Sequence, residues 1–164
     1  ITEVGPRGEV RGDRRLDATG ALVMPGLVDI QVHFRTPGGT ESEDIASGSA
    51  AAALGGITAC VMMPNTVPTI DNVEMVNEVL ALARHAPCDV RTSAAITVDR
   101  AGQRLVDFAA LHRAGVRVFT DDGWAVADSA VMRAAFEATR SLQGAVLSQH
   151  AEDPVLTEIG RAHV

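Results

Sequence analysis

The sequence predicts an α/β fold, a partial (β/α)8 TIM barrel of about five βα units, entered through the remnant of a small β-sandwich element. Three observations carry that expectation. Short apolar runs at 27–32, 58–62, 89–95, 116–119 and 145–147 begin 31, 31, 27 and 29 residues apart. Segments with helix start and stop signals fill the intervals. Strands apolar on both faces, alternating with helices at about 30 residues per unit, imply a parallel sheet with helical crossovers. A five-stranded doubly wound sheet fits the same spacing. The third observation favours the barrel: stretches 1–4, 15–17 and 22–23 read as pieces of a β-element feeding Pro25-Gly26 and the first barrel strand.

The helices follow in order. Thr40-Glu41-Ser42-Glu43 has the form of a capping box, in which hydroxyl and carboxylate satisfy orphan backbone N–H groups. The helix it starts, over 42–54, is Ala-rich and stops at Gly55-Gly56. Asp71-Asn72-Val73-Glu74 opens a second helix that runs towards His85 and ends before Pro87. A third covers 105–114 and closes at Gly115; a fourth covers 129–142, started by Asp128 or Ser129. The resulting division is a β-element over 1–25, the first part of a barrel over 26–157 and a tail over 158–164. A complete barrel needs ~250 residues, so 164 residues starting at Ile1 without Met read as a piece of a longer protein. Glu158-Ile159-Gly160-Arg161-Ala162-His163-Val164 equals the in-frame translation of a widely used DNA-sequencing adapter. That tail is expected to be non-native, and His163 is given no role.

Composition narrows the function. With 46% hydrophobic residues the chain is too apolar for a disordered one. No uncharged apolar run approaches the ~20 residues of a membrane helix. Fourteen cations against 21 acids, a net charge of −7, one Trp and no Tyr make a poor nucleic-acid binder. No charged stretch followed by an apolar one marks a secretory signal. Cys60 and Cys88 form no C-x-x-C pair and read as two buried thiols in a reducing compartment, which implies a cytoplasmic protein. All 14 cations are Arg; the chain has no Lys.

In parallel α/β proteins the chemistry gathers at the carboxyl ends of the strands. Those positions hold His33 and Arg35 after the first run, Asn65 after the second, Asp121 and Asp122 after the fourth, and His150 after the fifth. His85 and His112 fall on helices and read as solvated surface. A single strand-end His is more often structural, and Asp-Asp-Gly alone is usually a turn. Imidazole, carboxylate, guanidinium and amide on one rim change the balance. Two imidazoles and a carboxylate suit a divalent metal, most simply Zn²⁺. An Arg beside them offers a fork for a substrate carboxylate. Metal-assisted hydrolysis is the reaction class that follows.

At these residues the sequence resembles class I dihydroorotase of the amidohydrolase superfamily. The likeness is carried by Pro25-Gly26-Leu27-Val28-Asp29, His33-Phe34-Arg35, Pro37-Gly38, the Gly48-to-Gly56 stretch, Met63-Pro64-Asn65-Thr66, Phe119-Thr120-Asp121-Asp122-Gly123 and His150-Ala151-Glu152-Asp153. It implies a (β/α)8 barrel that reversibly hydrolyses (S)-dihydroorotate to N-carbamoyl-L-aspartate in de novo pyrimidine biosynthesis. By the same likeness, His33, Asp122 and His150 are metal ligands, and His33, Arg35 and Asn65 bind substrate. The bridging position that many superfamily members fill with a carboxylated Lys is an Asp in class I dihydroorotases, and Asp122 matches it. The Lys-free chain thus argues against the hydantoinase and allantoinase branches. The catalytic Asp and a later His ligand are expected beyond Val164, so no catalytic residue is placed within the chain.

One position departs from the family pattern. Where the family has His-x-His after the first strand, the first His is replaced by Gln31. An amide oxygen is a weak ligand beside imidazole, so one or two Zn²⁺ ions are expected, with the first site weakened or lost. A lineage replacement, a single-nucleotide error and a non-catalytic homologue are all compatible with Gln31. The last gives the alternative function: a dihydroorotase-like subunit that scaffolds aspartate carbamoyltransferase. A homo-oligomer is the other assembly implied. A third reading, a phosphate-binding domain, lacks a G-x-G-x-x-G loop after the first strand. The isolated 164-residue chain is expected to be inactive and poorly folded, because half a barrel exposes apolar edges.

Overall fold

The computed structural model describes residues 3–6, 8–10, 12–14, 16–153 and 156. Strand β1 (Leu27–Val32) pairs in parallel with β2 (Ile57–Met62), which pairs in parallel with β3 (Asp89–Thr92). Strands β4 (Val118–Phe119) and β5 (Val146–Leu147) form a second parallel pair. A parallel bridge between Ala94 and Phe119 joins the two: Ala94 N donates to Val118 O at 3.1 Å, and Thr120 N to Ala94 O at 2.9 Å. Five strands therefore run side by side in chain order, the opening of a barrel rather than a doubly wound sheet, whose strand order must reverse. All five expected strands are present, the last three shorter than the apolar runs that encode them.

Residues 1–2, 7, 11 and 15 of the expected β-element, and all of the 158–164 tail, lie outside the described residues. Among the described residues before Leu27 there is no strand, Leu22–Val23 included. A strand needs a ladder partner, and none of the described residues supplies one to that segment. The free edge of β1 is also bare: Val28 and Ile30 are 63% and 70% exposed.

Helix α1 (Ile45–Leu54) starts at Asp44, whose carboxylate accepts from Ser47 N at 2.7 Å while Ser47 Oγ bonds back to Asp44 N at 3.2 Å. This capping box displaces the one expected at Thr40 and Glu43. The reason is tertiary: Glu43 O accepts from Arg35 N at 3.1 Å, so 35–43 closes into a rim loop before the helix can begin. Gly48 lies within α1 because a Cβ there would stand 2.4 Å from the Phe34 ring, which the helix covers. Helix α2 (Val73–Leu82) is capped by Asn72, whose Oδ1 accepts from Met75 N at 3.0 Å, and buries Met75, Val76 and Val79. One tight turn, Ala83–His85, ends it.

Helix α3 (Phe108–Arg113) begins three residues later than the pattern suggests. Leu105 is taken into an antiparallel bridge with Thr97, and Val106 N donates to Ile96 O at 3.1 Å, so these residues fold back before the helix starts. Phe108 packs edge-on against Phe119 of β4, with centroids 5.0 Å apart. His112 of α3 is not solvated surface as expected: its Nε2 lies 2.9 Å from Gln143 O and ties the helix to the segment before β5. Helix α4 (Ser129–Thr139) is capped by Asp128. The core between sheet and helices contains Phe34, Met62, Ile70, Val79, Ile96, Leu111 and Phe119.

Cys60 and Cys88 are buried and free, with sulfurs 4.0 Å apart. Burial, then the neighbouring Cys88, pushes the Cys60 thiol from an ordinary value of 9.0 up to about 12. The thiolate is the nucleophile, so Cys60 in the folded protein should resist iodoacetamide at pH 8 and react only after denaturant is added. Labelling of Cys60 at equal rates with and without denaturant contradicts this. The unfolded chain sheds the proton near pH 9 and the folded one near 12. Between those values the unfolded state binds fewer protons, so this thiol's contribution, intact below pH 9, is lost as pH rises.

Candidate active site

The carboxyl ends of the strands bring Gln31, His33, Asn65 and Asp122 into one polar cluster. Asp121 and Asp122 follow β4, and successive residues of an extended chain point to opposite sides. Asp121 turns inward and is buried: its carboxylate accepts from Ile96 N at 2.8 Å, Thr97 N at 3.0 Å and the Thr97 hydroxyl. Asp122 faces the rim. Its Oδ1 accepts from Gln31 Nε2 at 3.0 Å and its Oδ2 from Asn65 Nδ2 at 3.1 Å. Its own N–H donates to Thr120 Oγ1 at 3.2 Å, and its carbonyl accepts from Arg100 Nη1 at 2.8 Å.

A carboxylate only accepts, so the Asn65 group beside Asp122 is the NH₂, and the Asn65 oxygen faces His33 Nδ1 at 3.1 Å. The other ring nitrogen, Nε2, stands 3.6 Å from Asp122 Oδ2. The separation is too long for a hydrogen bond. Two donors at 2.0–2.2 Å from one tetrahedral ion stand ~3.3–3.5 Å apart. The pair has the chemistry and nearly the spacing of two ligands of one cation.

A cavity of about 360 Å³ opens beside the cluster, lined by Gln31, Met63, Thr120, Asp122, Gln149 and His150 among others. His150 thus faces the same space as Asp122, but its Nε2 is held by Glu152 Oε2 at 2.8 Å. Among the described residues no three His, Cys, Asp or Glu side chains gather around one point. The structure brings His33 and Asp122 together and keeps His150 across the cavity. Arg35 is exposed on the rim loop. Asn65, expected to meet substrate, spends both ends of its amide linking His33 to Asp122. Asp121 stood among the strand-end candidates but was given no role, and Thr97 and Arg100 were not expected to support the site. Only the Asp121–Asp122 doublet carried a local signal, its alternating direction.

The first two rim loops are clasped. Val67 N donates to Pro37 O at 3.3 Å, and Gly38 adopts φ +93° with no room for a side chain, since a Cβ would stand 2.1 Å from Val67 O.

Parallel strands in chain order, linked by helices and bearing this cluster at their carboxyl ends, define part of a (β/α)8-type barrel. The solved L-hydantoinase (dihydropyrimidinase) from Arthrobacter aurescens has the same fold, with a TM-score of 0.73 at 21% identity over 97% of this chain and 37% of that one. The chain belongs to the dihydro-orotase-like family, whose model matches residues 20–163. Proteins named dihydroorotase from Streptococcus pneumoniae and a Sulfurihydrogenibium species are each 47% identical over 148 and 149 residues, 90% of this chain. The dihydroorotase of Aquifex aeolicus is 46% identical over 142 residues. The chain spans about a third of the length of these relatives, 33–35%. Among the described residues no helix is long and apolar enough to cross a membrane.

Proposed function

We propose that the chain is the leading part of a dihydroorotase, which opens the cyclic amide of (S)-dihydroorotate to N-carbamoyl-L-aspartate and closes it again. The observation that carries this reading is His33 Nε2 standing 3.6 Å from Asp122 Oδ2 at the carboxyl ends of the strands. That is close to the separation of two ligands on one tetrahedral ion, ~3.3–3.5 Å. His33 and Asp122 would hold a divalent ion, most simply Zn²⁺, with His150 completing the set once its imidazole leaves Glu152. When bound, such an ion supplies Lewis acidity towards a ring carbonyl at neutral pH.

The chain's own residues supply the rest. Asn65 orients the His33 ring through Nδ1, and with Gln31 it fixes both oxygens of Asp122. Arg35 offers its guanidinium fork to the substrate carboxylate. The cavity, about 360 Å³, suits a small ring. The general base is placed beyond this chain.

One observation favours a second reading. Gln31, standing where the family pattern has a His, turns its amide N–H to Asp122 Oδ1 and presents no imidazole lone pair to a cation. A metal-poor, non-catalytic subunit that scaffolds aspartate carbamoyltransferase would tolerate that bond. The test is dihydroorotate hydrolysis by the full-length protein, assayed as carbamoyl-aspartate formed before and after chelation. Turnover lost with chelator and restored by Zn²⁺ is the expected result. A metal-free, inactive protein that co-purifies with the transcarbamoylase overturns it in favour of the scaffold.

A further inference from the structure

The turn after β3 has an unusual backbone. Asp99 and Arg100 are consecutive non-glycine residues in the left-handed region, at φ 55° and 56°. Side-chain-bearing residues avoid that region and stay there only where surrounding contacts impose it. The contacts come from three loops. Asp99 N donates to Asp71 Oδ2 at 2.9 Å, from the loop that follows β2. Arg100 N donates to Thr97 O at 3.0 Å, and Gly102 N to Thr97 Oγ1 at 2.9 Å. Thr97 is in turn anchored by the buried Asp121 carboxylate.

This arrangement delivers the Arg100 guanidinium under the Asp122 carbonyl, Nη1 to O at 2.8 Å. Arg100 Nε is buried and has no partner among the described residues. Such an orphan is unfavourable, so the guanidinium is not placed to satisfy itself. Asp122 is gripped at its N–H by its near neighbour Thr120 and at its carbonyl by Arg100 from another loop.

We propose that Arg100 is a positioning residue. Through the Asp122 carbonyl it sets where the Asp122 carboxylate stands relative to His33 Nε2, and hence how tightly the pair holds a divalent cation. The inference rests on the reading of His33 and Asp122 as ligands given above. Outer partners of metal ligands change affinity or activity by roughly 10–100-fold, and that is the range expected.

The experiment compares the full-length protein with its Arg100→Ala and Arg100→Lys variants. It measures Zn²⁺ affinity against a competing chelator, dihydroorotate kcat and KM, and the thermal midpoint. Arg100→Ala is expected to weaken Zn²⁺ binding about 10–100-fold and lower kcat in parallel, with KM and the midpoint little changed. Arg100→Lys, which can still donate to the carbonyl, restores most of both. Unchanged Zn²⁺ affinity in Arg100→Ala overturns the proposal. So does a loss that Arg100→Lys shares while the midpoint falls, because that marks a purely structural role. If the parent binds Zn²⁺ without hydrolysing dihydroorotate, the substrate assignment fails and the affinity shift still decides the role of Arg100. If the parent binds no Zn²⁺, the cation reading fails and the crystal structure of Arg100→Ala decides instead. A carboxylate displaced from Gln31 and Asn65 supports positioning; one that has not moved overturns it.

Discussion

Asp122→Ala in the full-length protein is expected to reduce kcat/KM for dihydroorotate by about 10³-fold or more, with bound Zn²⁺ falling well below that of the parent. Altering a partner behind a metal ligand costs about 10–100-fold, and removing the ligand itself should exceed that. The fold should survive the change. Of the two donors to the carboxylate, Gln31 borders the cavity and can turn to water once it is gone, and Asn65 is only half-buried and keeps its contact with His33. Asp122→Asn separates charge from shape: the amide oxygen can still accept one of those bonds, but the anion is lost. Turnover within a few-fold of the parent in either variant would remove Asp122 from the chemistry.

Asp121→Ala should act first on the fold, destabilising it while leaving the His33 and Asp122 side chains themselves in place. The Asp121 carboxylate is buried and serves Ile96 N, Thr97 N and the Thr97 hydroxyl. Truncation leaves two buried amide donors without acceptors, at about 1–3 kcal/mol each, so about 2–6 kcal/mol in all. The urea midpoint of the full-length protein is the measurement. Asp121→Asn should recover part of the loss, since an amide oxygen still accepts from the backbone. An unchanged midpoint in Asp121→Ala would mean that these bonds are replaced elsewhere.

These neighbouring aspartates show what the sequence makes legible. Strand number, order and direction follow from apolar runs of constant spacing, because a strand buried on both faces must be apolar throughout. The rim residues follow from the rule that chemistry sits at carboxyl ends. What escaped was decided by contacts distant in sequence. Thr40–Glu43 and Asp44–Ser47 both have the form of a cap, and the choice falls to Asp44 because Glu43 O is taken by Arg35 N. Residue 105 looks helical until Thr97 recruits Leu105 into a bridge. Arg100 has no local signature, since the loops that hold Asp99 and Arg100 left-handed lie 22 to 28 residues away. His150 shows the opposite limit: Glu152, two residues on, claims its imidazole.

The clasp between the first two rim loops bears on how the cavity breathes. The Val67 side chain is 76% exposed, yet its amide is bound to Pro37 O across the loops and Gly38 abuts its carbonyl. Deuterium should therefore enter the Val67 amide far more slowly than its solvent-facing side chain suggests. Its exchange reports when the loop carrying His33 and Arg35 parts from the one carrying Asn65, so the two ought to swing as one flap.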